Sequence, residues 1–461
     1  MRPRDRSLFR PALSLLGVCL CAPLLACPAK QPQAEAEVEA EAEAKTKGGE
    51  GGEAEGAKPK AKAEGFSQLE GVQALTLPAG PRSSAASLAA SDGGVWLSWM
   101  SEAGEAPALM VAKGTPAAEG GLSWSEPETV AAGPGLIVDW LNVPAVVESS
   151  AGTLIVAWAQ LNDATDASKG YGLRLSARED GGGYVDAWDP LEDLGGSKGP
   201  EAGFPAFVVT GEVVRLFWLD GADRAPEELG GKGDEGAMQL RTMLLDAEGK
   251  RGAPARVVDP RVSDCSPISA QLIGSRPYVA YRDRSDEELR DIAVVEPGKA
   301  PKIVAEDGWK VEGCSSNGPA VAPATTGSMH VAWFAAPEGK REVRLAIGSA
   351  SQGFDEPIVA SLGRPIGHPT LVGFEGGQAE VSWIEVDEKE KLLARLLTRR
   401  VRTDGELGPT FVVSEIGVGP AWGTPQNIRL GDQLLWVFTN PGNGNVDTEL
   451  AGYLAPAPPK P

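Results

Sequence analysis

From Phe66 onward, short apolar runs alternate with polar residues at a period of two, and Gly, Pro, Asp and Ser punctuate them. No run shows the longer period of an amphipathic helix. Seven runs carry an aromatic residue at the same relative place. These are Trp99 in VWLSW, Trp158 in LIVAW, Trp218 in VRLFW, Tyr281 in YVAY, Trp333 in HVAW, Trp383 in EVSW and Trp436 in LLWVF, spaced 50 to 63 residues apart. Six have a proline 11 to 14 residues upstream: Pro144, Pro205, Pro267, Pro319, Pro369 and Pro425. Proline there suits the start of a strand, where its missing N–H does least harm. A third strand follows in most units, as in GLRLSA or VRLAIG, and then a short fourth one, as in DPLEDLG or EPIVAS.

Four strands repeated at this period predict propeller blades. One blade cannot bury both faces alone, so the aromatics are expected to wedge between neighbouring blades. The fold expected is an all-β, seven-bladed β-propeller. A six-bladed ring would require discarding one unit. The seventh unit, 422–454, runs out after about three strands. Residues 72–78, VQALTLP, read as its missing fourth strand. Their pairing with the last blade would close the ring and remove its open edges.

The N-terminus reads differently. A basic head and the apolar run PALSLLGVCLCAPLLA form a secretory signal over 1–26. Leu24-Leu25-Ala26-Cys27 resembles the bacterial lipobox, which makes Cys27 the lipidation candidate. The expected location is the cell envelope, at the outer membrane because Pro28 follows the cysteine, with the lipid as the only membrane contact. Residues 27–65 are Ala, Glu, Lys and Gly with little to bury, a disordered tether. Residues 66–454 are the propeller and 455–461 a tail.

The net charge of −21 argues against nucleic acid, which needs basic patches. The chain reads as a monomer. No phosphate-binding or dinucleotide fingerprint appears, so no cofactor is expected. His330 and His368 are the only histidines, too few for a triad or a zinc site, and no metal is expected. His330 reads as strand structure. His368, beside Pro369 at a blade entry, could belong to the packing or face the channel. NPGNGNVDTE from Asn440 reads as a turn, with calcium binding as the lesser alternative.

In a propeller, the links into first strands and the turns between second and third strands share one face. That rule gathers Arg282, Asp283, Arg284, Arg290, Asp291, Asp307, Trp309 and Asn317 as ligand-binding candidates at the channel mouth. The arginines could take a carboxylate through paired N–H groups or close ion pairs at a hairpin tip. Cys265 and Cys314 precede the first strands of adjacent units. A disulfide is expected, with two thiols or a metal pair as alternatives.

The residues AYRDRSDEELRDI, DGWKVEGC, NGPAVA and VAWF resemble the bacterial sialidase-like proteins built from BNR (Asp-box) repeats, over 263–334. Weaker echoes of the Asp-box turn are AAEGGLSW at 117–124 and SASQGFDEP near Gly353. The resemblance implies a propeller, and many such proteins are labelled exo-sialidases. Sialidases use a tyrosine nucleophile with a glutamate, an acid/base aspartate and three arginines on the substrate carboxylate. Tyr281 belongs to the repeat series, Tyr453 has no obvious glutamate, and the RIP motif is absent, so the catalytic set does not transfer. Two functions remain open. One is a carbohydrate- or protein-binding scaffold whose ligand docks between blades four and five. The other is an exo-sialidase-like hydrolase of an anionic sugar, with Arg282, Arg290, Asp283 and Asp291 near the substrate.

Overall fold

The structure, a computed structural model, describes residues 67–179, 182–192, 201–221, 237–311, 313–386, 393–417, 423–441 and 448–457. Cys27 and the core of the Asn440 loop lie outside the described residues. Seven separate sheets follow one another along the chain. Their innermost strands are Ser83–Ser91, Ala145–Glu148, Ala202–Thr210, Ser269–Ile273, Ala320–Pro323, Arg364–Gly373 and Gln426–Leu430. Each packs beside the next, and the seventh returns to the first. The molecule is therefore a seven-bladed β-propeller.

The closure is as the sequence predicts. Gln73–Leu75 pairs antiparallel with Glu449–Pro456, Gln73 opposite Leu454, and forms the outer strand of blade seven. That last strand continues through Pro456, so the tail begins later than 455. A second tie was not foreseen: Ser67–Gln68 runs parallel to Leu407–Gly417 at the edge of blade six. Blade two is the least regular: among the described residues its sheet has three strands, with isolated bridges at Tyr184 and Trp188, and the expected fourth strand, DPLEDLG at 189–195, lies partly outside the described residues.

Each of the seven seams between blades holds one aromatic of the repeat. Trp99 packs between blades seven and one, Trp158 between one and two, and Trp218 between two and three. Tyr281, Trp333, Trp383 and Trp436 occupy the remaining four. The Asp-box-like turns lie between third and fourth strands, and their aromatics cover glycines. A Cβ on Gly114 would come within 2.8 Å of Trp124, and one on Gly348 within 2.8 Å of Phe354.

Pro144, Pro319 and Pro425 directly precede first strands and Pro267 stands two residues before one, but Pro205 and Pro369 lie inside them, at bulges. The residues before them, Phe204 and His368, have φ of 56° and 51°. A bulge there breaks the ladder and leaves an amide to be satisfied. The Phe204 N–H donates to Asn142 Oδ1 at 2.9 Å, and the His368 N–H to Asn317 Oδ1 at 2.6 Å. Asn142 and Asn317 occupy the same place in the repeat, as N-x-P-A-V. Glycine precedes each bulge because a Cβ at Gly203 or Gly367 would overlap the asparagine amide, at 2.3 and 2.2 Å.

Candidate functional site

Strand register puts the predicted cluster on one rim. In blade four Ser269 faces Ala280, Arg282 faces Ile292, and Ile292 faces Ala305. Starts of first and third strands and ends of second and fourth strands thus share an edge, the entrance face. All eight candidate residues lie along it, but most are turned inward.

Arg282 is buried. Its Nε and Nη2 donate to the Asn317 carbonyl at 3.0 and 2.9 Å, Nη2 also to the Phe334 carbonyl at 2.7 Å, and Nη1 to the Arg290 carbonyl at 2.7 Å. Trp309 covers the guanidinium, 4.8 Å from its ring centre, and meets Phe334 edge-on. Burial lowers the Arg282 pKa to about 9, still charged at neutral pH. Arg282 braces blade four to blade five. Asn317 spans further, since its Nδ2 also donates to the Ile366 carbonyl in blade six at 3.2 Å. Asp307 is likewise a brace, accepting from Trp333 Nε1 at 2.6 Å and Arg344 Nη1 at 2.5 Å.

Arg284 donates to Glu288 Oε1 from Nε and Nη2, at 3.1 and 3.0 Å, and Arg290 Nη2 to Oε2 at 2.6 Å. Arg261 lies 3.8 Å from the same carboxylate. The ion pairs converge on Glu288, and Arg284 and Arg290 are buried where a solvated hairpin tip was expected. Asp283 and Asp291 stay half-buried, and burial raises both carboxyl pKa values above the ordinary carboxylate range.

Serines lace the entrances of blades four and five. Ser315 Oγ lies 3.0 Å from Ser263 Oγ and 2.6 Å from Ser266 Oγ. The lacing brings Cys265 and Cys314 together as thiols, with Cys314 Sγ 3.9 Å from the Cys265 carbonyl oxygen.

The rim also holds a group that the sequence reading missed. Tyr171, the first residue of the third strand in blade two, donates its hydroxyl to Glu201 Oε2 at 2.8 Å. Glu201 immediately precedes the first strand of blade three. Burial raises the Tyr171 pKa well above the ordinary phenol value, and the charges of Glu201, Cys265 and Asp139 add to the shift. Asp139 lies in the link into blade two, accepts the Leu141 N–H at 2.9 Å, and is raised by burial too. The next residue, Trp140, reaches His368 of blade six in an edge-to-face contact, ring centres 5.8 Å apart. Blades two and six stand on opposite sides of a seven-membered ring, so this link crosses the channel mouth. The positional rule that found the arginine hairpin also fits Tyr171 and Glu201. Their units lacked the clustered charge that drew notice to blade four.

His368 belongs to both the packing and the channel. Burial holds its pKa down to about 4 against an ordinary 6.5. The unfolded chain therefore takes up a proton below about pH 6.5 that the folded chain refuses until about pH 4. Stability contributed by neutral His368 is present above that window and falls as pH drops through it, by up to about 3 kcal/mol. Urea unfolding of the native protein and of His368→Asn, whose side chain tolerates positive φ, should show this difference between pH 7 and pH 4.5. Parallel stability curves for the two proteins would refute it.

No protein-family model matches this sequence, and no curated protein matches it. Solved structures similar in backbone include the polysaccharide lyase Uly1, at 13% identity, covering 87% of this chain and 94% of that one, with a TM-score of 0.48. The BP39L lectin from Burkholderia pseudomallei is 12% identical, covering 80% and 95%, with a TM-score of 0.46. The NanB sialidase from Streptococcus pneumoniae is 8% identical, covering 86% and 70%, with a TM-score of 0.43. The assignment of seven blades rests on this chain's own sheet order and ring closure.

Proposed function

We propose that this chain is a binding propeller that takes a polar, carbohydrate-class ligand on its entrance face, beside Tyr171, Glu201 and Trp140. One observation supports this most. Tyr171 and Glu201 place a hydroxyl and a carboxylate 2.8 Å apart on the entrance face, and Asp139, one residue before Trp140, is close enough for its charge to act on the Tyr171 hydroxyl. Hydroxyl-rich ligands are held by this combination of paired polar groups and an apolar ring face. On this reading the ligand lies toward blades two and three. Lipidation at Cys27, with the following segment as tether, would display this face at the cell envelope.

A second reading, hydrolysis of an anionic glycoside, draws on the same contact. A tyrosine hydrogen-bonded to a glutamate is the nucleophile pair of the sialidase chemistry. The raised pKa of Tyr171 makes its phenolate costly, and Glu288 already engages Arg284 and one Nη of Arg290 in the blade-four hairpin.

Calorimetric titration with galactose, N-acetylglucosamine, glucuronic acid and N-acetylneuraminic acid separates these readings when run beside a fluorogenic sialoside assay. Tyr171→Phe and Glu201→Gln should each weaken sugar binding about tenfold, the loss of one hydrogen bond to a charged group. Turnover of the sialoside, abolished by Tyr171→Phe, would establish the hydrolase instead. Absence of binding and of turnover would refute both.

A further inference from the structure

The entrances of blades four and five are joined by serine hydroxyls, and two partly buried thiols lie among them. Cys265 has φ of 54° and Ser316, two residues beyond Cys314, has φ of 45°, so both segments turn sharply into their first strands. Backbone of this kind persists only where its surroundings hold it. The hydroxyl bridges run from Ser315 to the residues on either side of Asp264-Cys265, which sets the two cysteines opposite each other. Cys314 also packs against the cluster that contains Trp140 and Leu141, the link crossing the channel mouth. Cys265 is close enough to Glu201 for that carboxylate to act on its thiol. The thiol pair thus packs at the closure of the mouth and lies within electrostatic reach of the Tyr171–Glu201 pair.

We propose that Cys265 and Cys314 are a redox-gated cross-link, and that closing it stiffens the entrance face beside Tyr171 and Glu201. The oxidant class is a small-molecule disulfide such as glutathione disulfide. One cysteine, as its thiolate, attacks a sulfur of that disulfide and expels one glutathione thiolate. The other cysteine, having lost its proton to solvent, attacks the cysteine sulfur of the mixed disulfide and expels the second. Two protein thiols become one disulfide, and one glutathione disulfide becomes two glutathiones. The Cys314 contact, with burial, keeps the Cys265 thiol protonated, so exchange is slow at neutral pH and quickens as pH rises. The consequence for ligand binding rests on the function proposed above, but the cross-link and its stiffening do not.

The test equilibrates the full chain in buffers of stepped glutathione to glutathione-disulfide ratio, quenches with acid, and maps alkylated peptides. Amide hydrogen exchange is followed on the same samples. Peptides carrying Cys265 and Cys314 should become linked as the ratio falls. Exchange at 263–266, 313–317, Tyr171 and Glu201 should slow several-fold, and Cys265→Ser should remove both effects. If that variant does not fold, Cys314→Ser or native protein with blocked thiols serves in its place. Two thiols that stay alkylatable across the whole series would overturn the proposal, as would a cross-link that leaves exchange at the two entrances unchanged. A failed sugar titration would alter neither result.

Discussion

Replacing Arg282 with methionine is expected to destabilise the protein by about 4 kcal/mol, with the loss centred on the seam between blades four and five. Methionine matches much of the side-chain volume and supplies no donor. The carbonyls of Arg290, Asn317 and Phe334 would then lose a charged partner inside the protein. Each unsatisfied buried acceptor costs about 1–3 kcal/mol, which sets the total. Arg282→Lys should rescue little, since one ammonium cannot reproduce a planar fork that reaches three carbonyls. Urea midpoints for the two variants are the measurement. A shift equivalent to less than about 1 kcal/mol for Arg282→Met would show that water replaces the guanidinium freely. The same substitution separates brace from binder: sugar affinity measured on protein that remains folded should change little.

Deleting residues 67–78 should cost about 5 kcal/mol or more and turn cooperative unfolding into aggregation. Those residues supply both terminal ties, Ser67–Gln68 to blade six and Gln73–Leu75 to blade seven. Leu69, Val72, Leu75 and Leu77 pack into seams that also hold Trp436 and Trp99. The Trp124 indole donates to the Thr76 carbonyl at 3.1 Å, tying blade one to the same segment. Without it, Glu449–Pro456 becomes an unpaired outer edge, available to another chain. Urea unfolding with light scattering would register the change. Leu75→Ala with Leu77→Ala should reproduce part of the stability loss without exposing the edge. A truncated chain that stays monomeric with an unchanged midpoint would mean the ring does not depend on this closure.

The contrast between Arg282 and Trp333 shows where local pattern stops being informative. Trp333 sits in a period-two run whose register decides which face it occupies, so its seam position could be read directly. Arg282 ends a similar run, and charge at a strand end ordinarily means solvent. Its burial depends on Asn317 and Phe334, 35 and 52 residues away in blade five, and on the Trp309 ring from the intervening link. Asp307 follows the same logic. Tyr171 and Glu201 are 30 residues apart in the chain and meet only because blades two and three pack side by side.

Sequence alone determined the repeat, the blade count, the wedge aromatics and the closing strand. Each follows from alternation and spacing, which a backbone of fixed geometry converts into position with little reference to distant residues. Tertiary structure decided which polar groups turn inward and which meet on the rim. It spent the arginine hairpin on internal partners, drew Trp140 across the mouth to His368, and brought Tyr171 to Glu201. Hydrogen bonds and ion pairs are short-ranged and directional, so their partners are settled only when the blades stand around their axis.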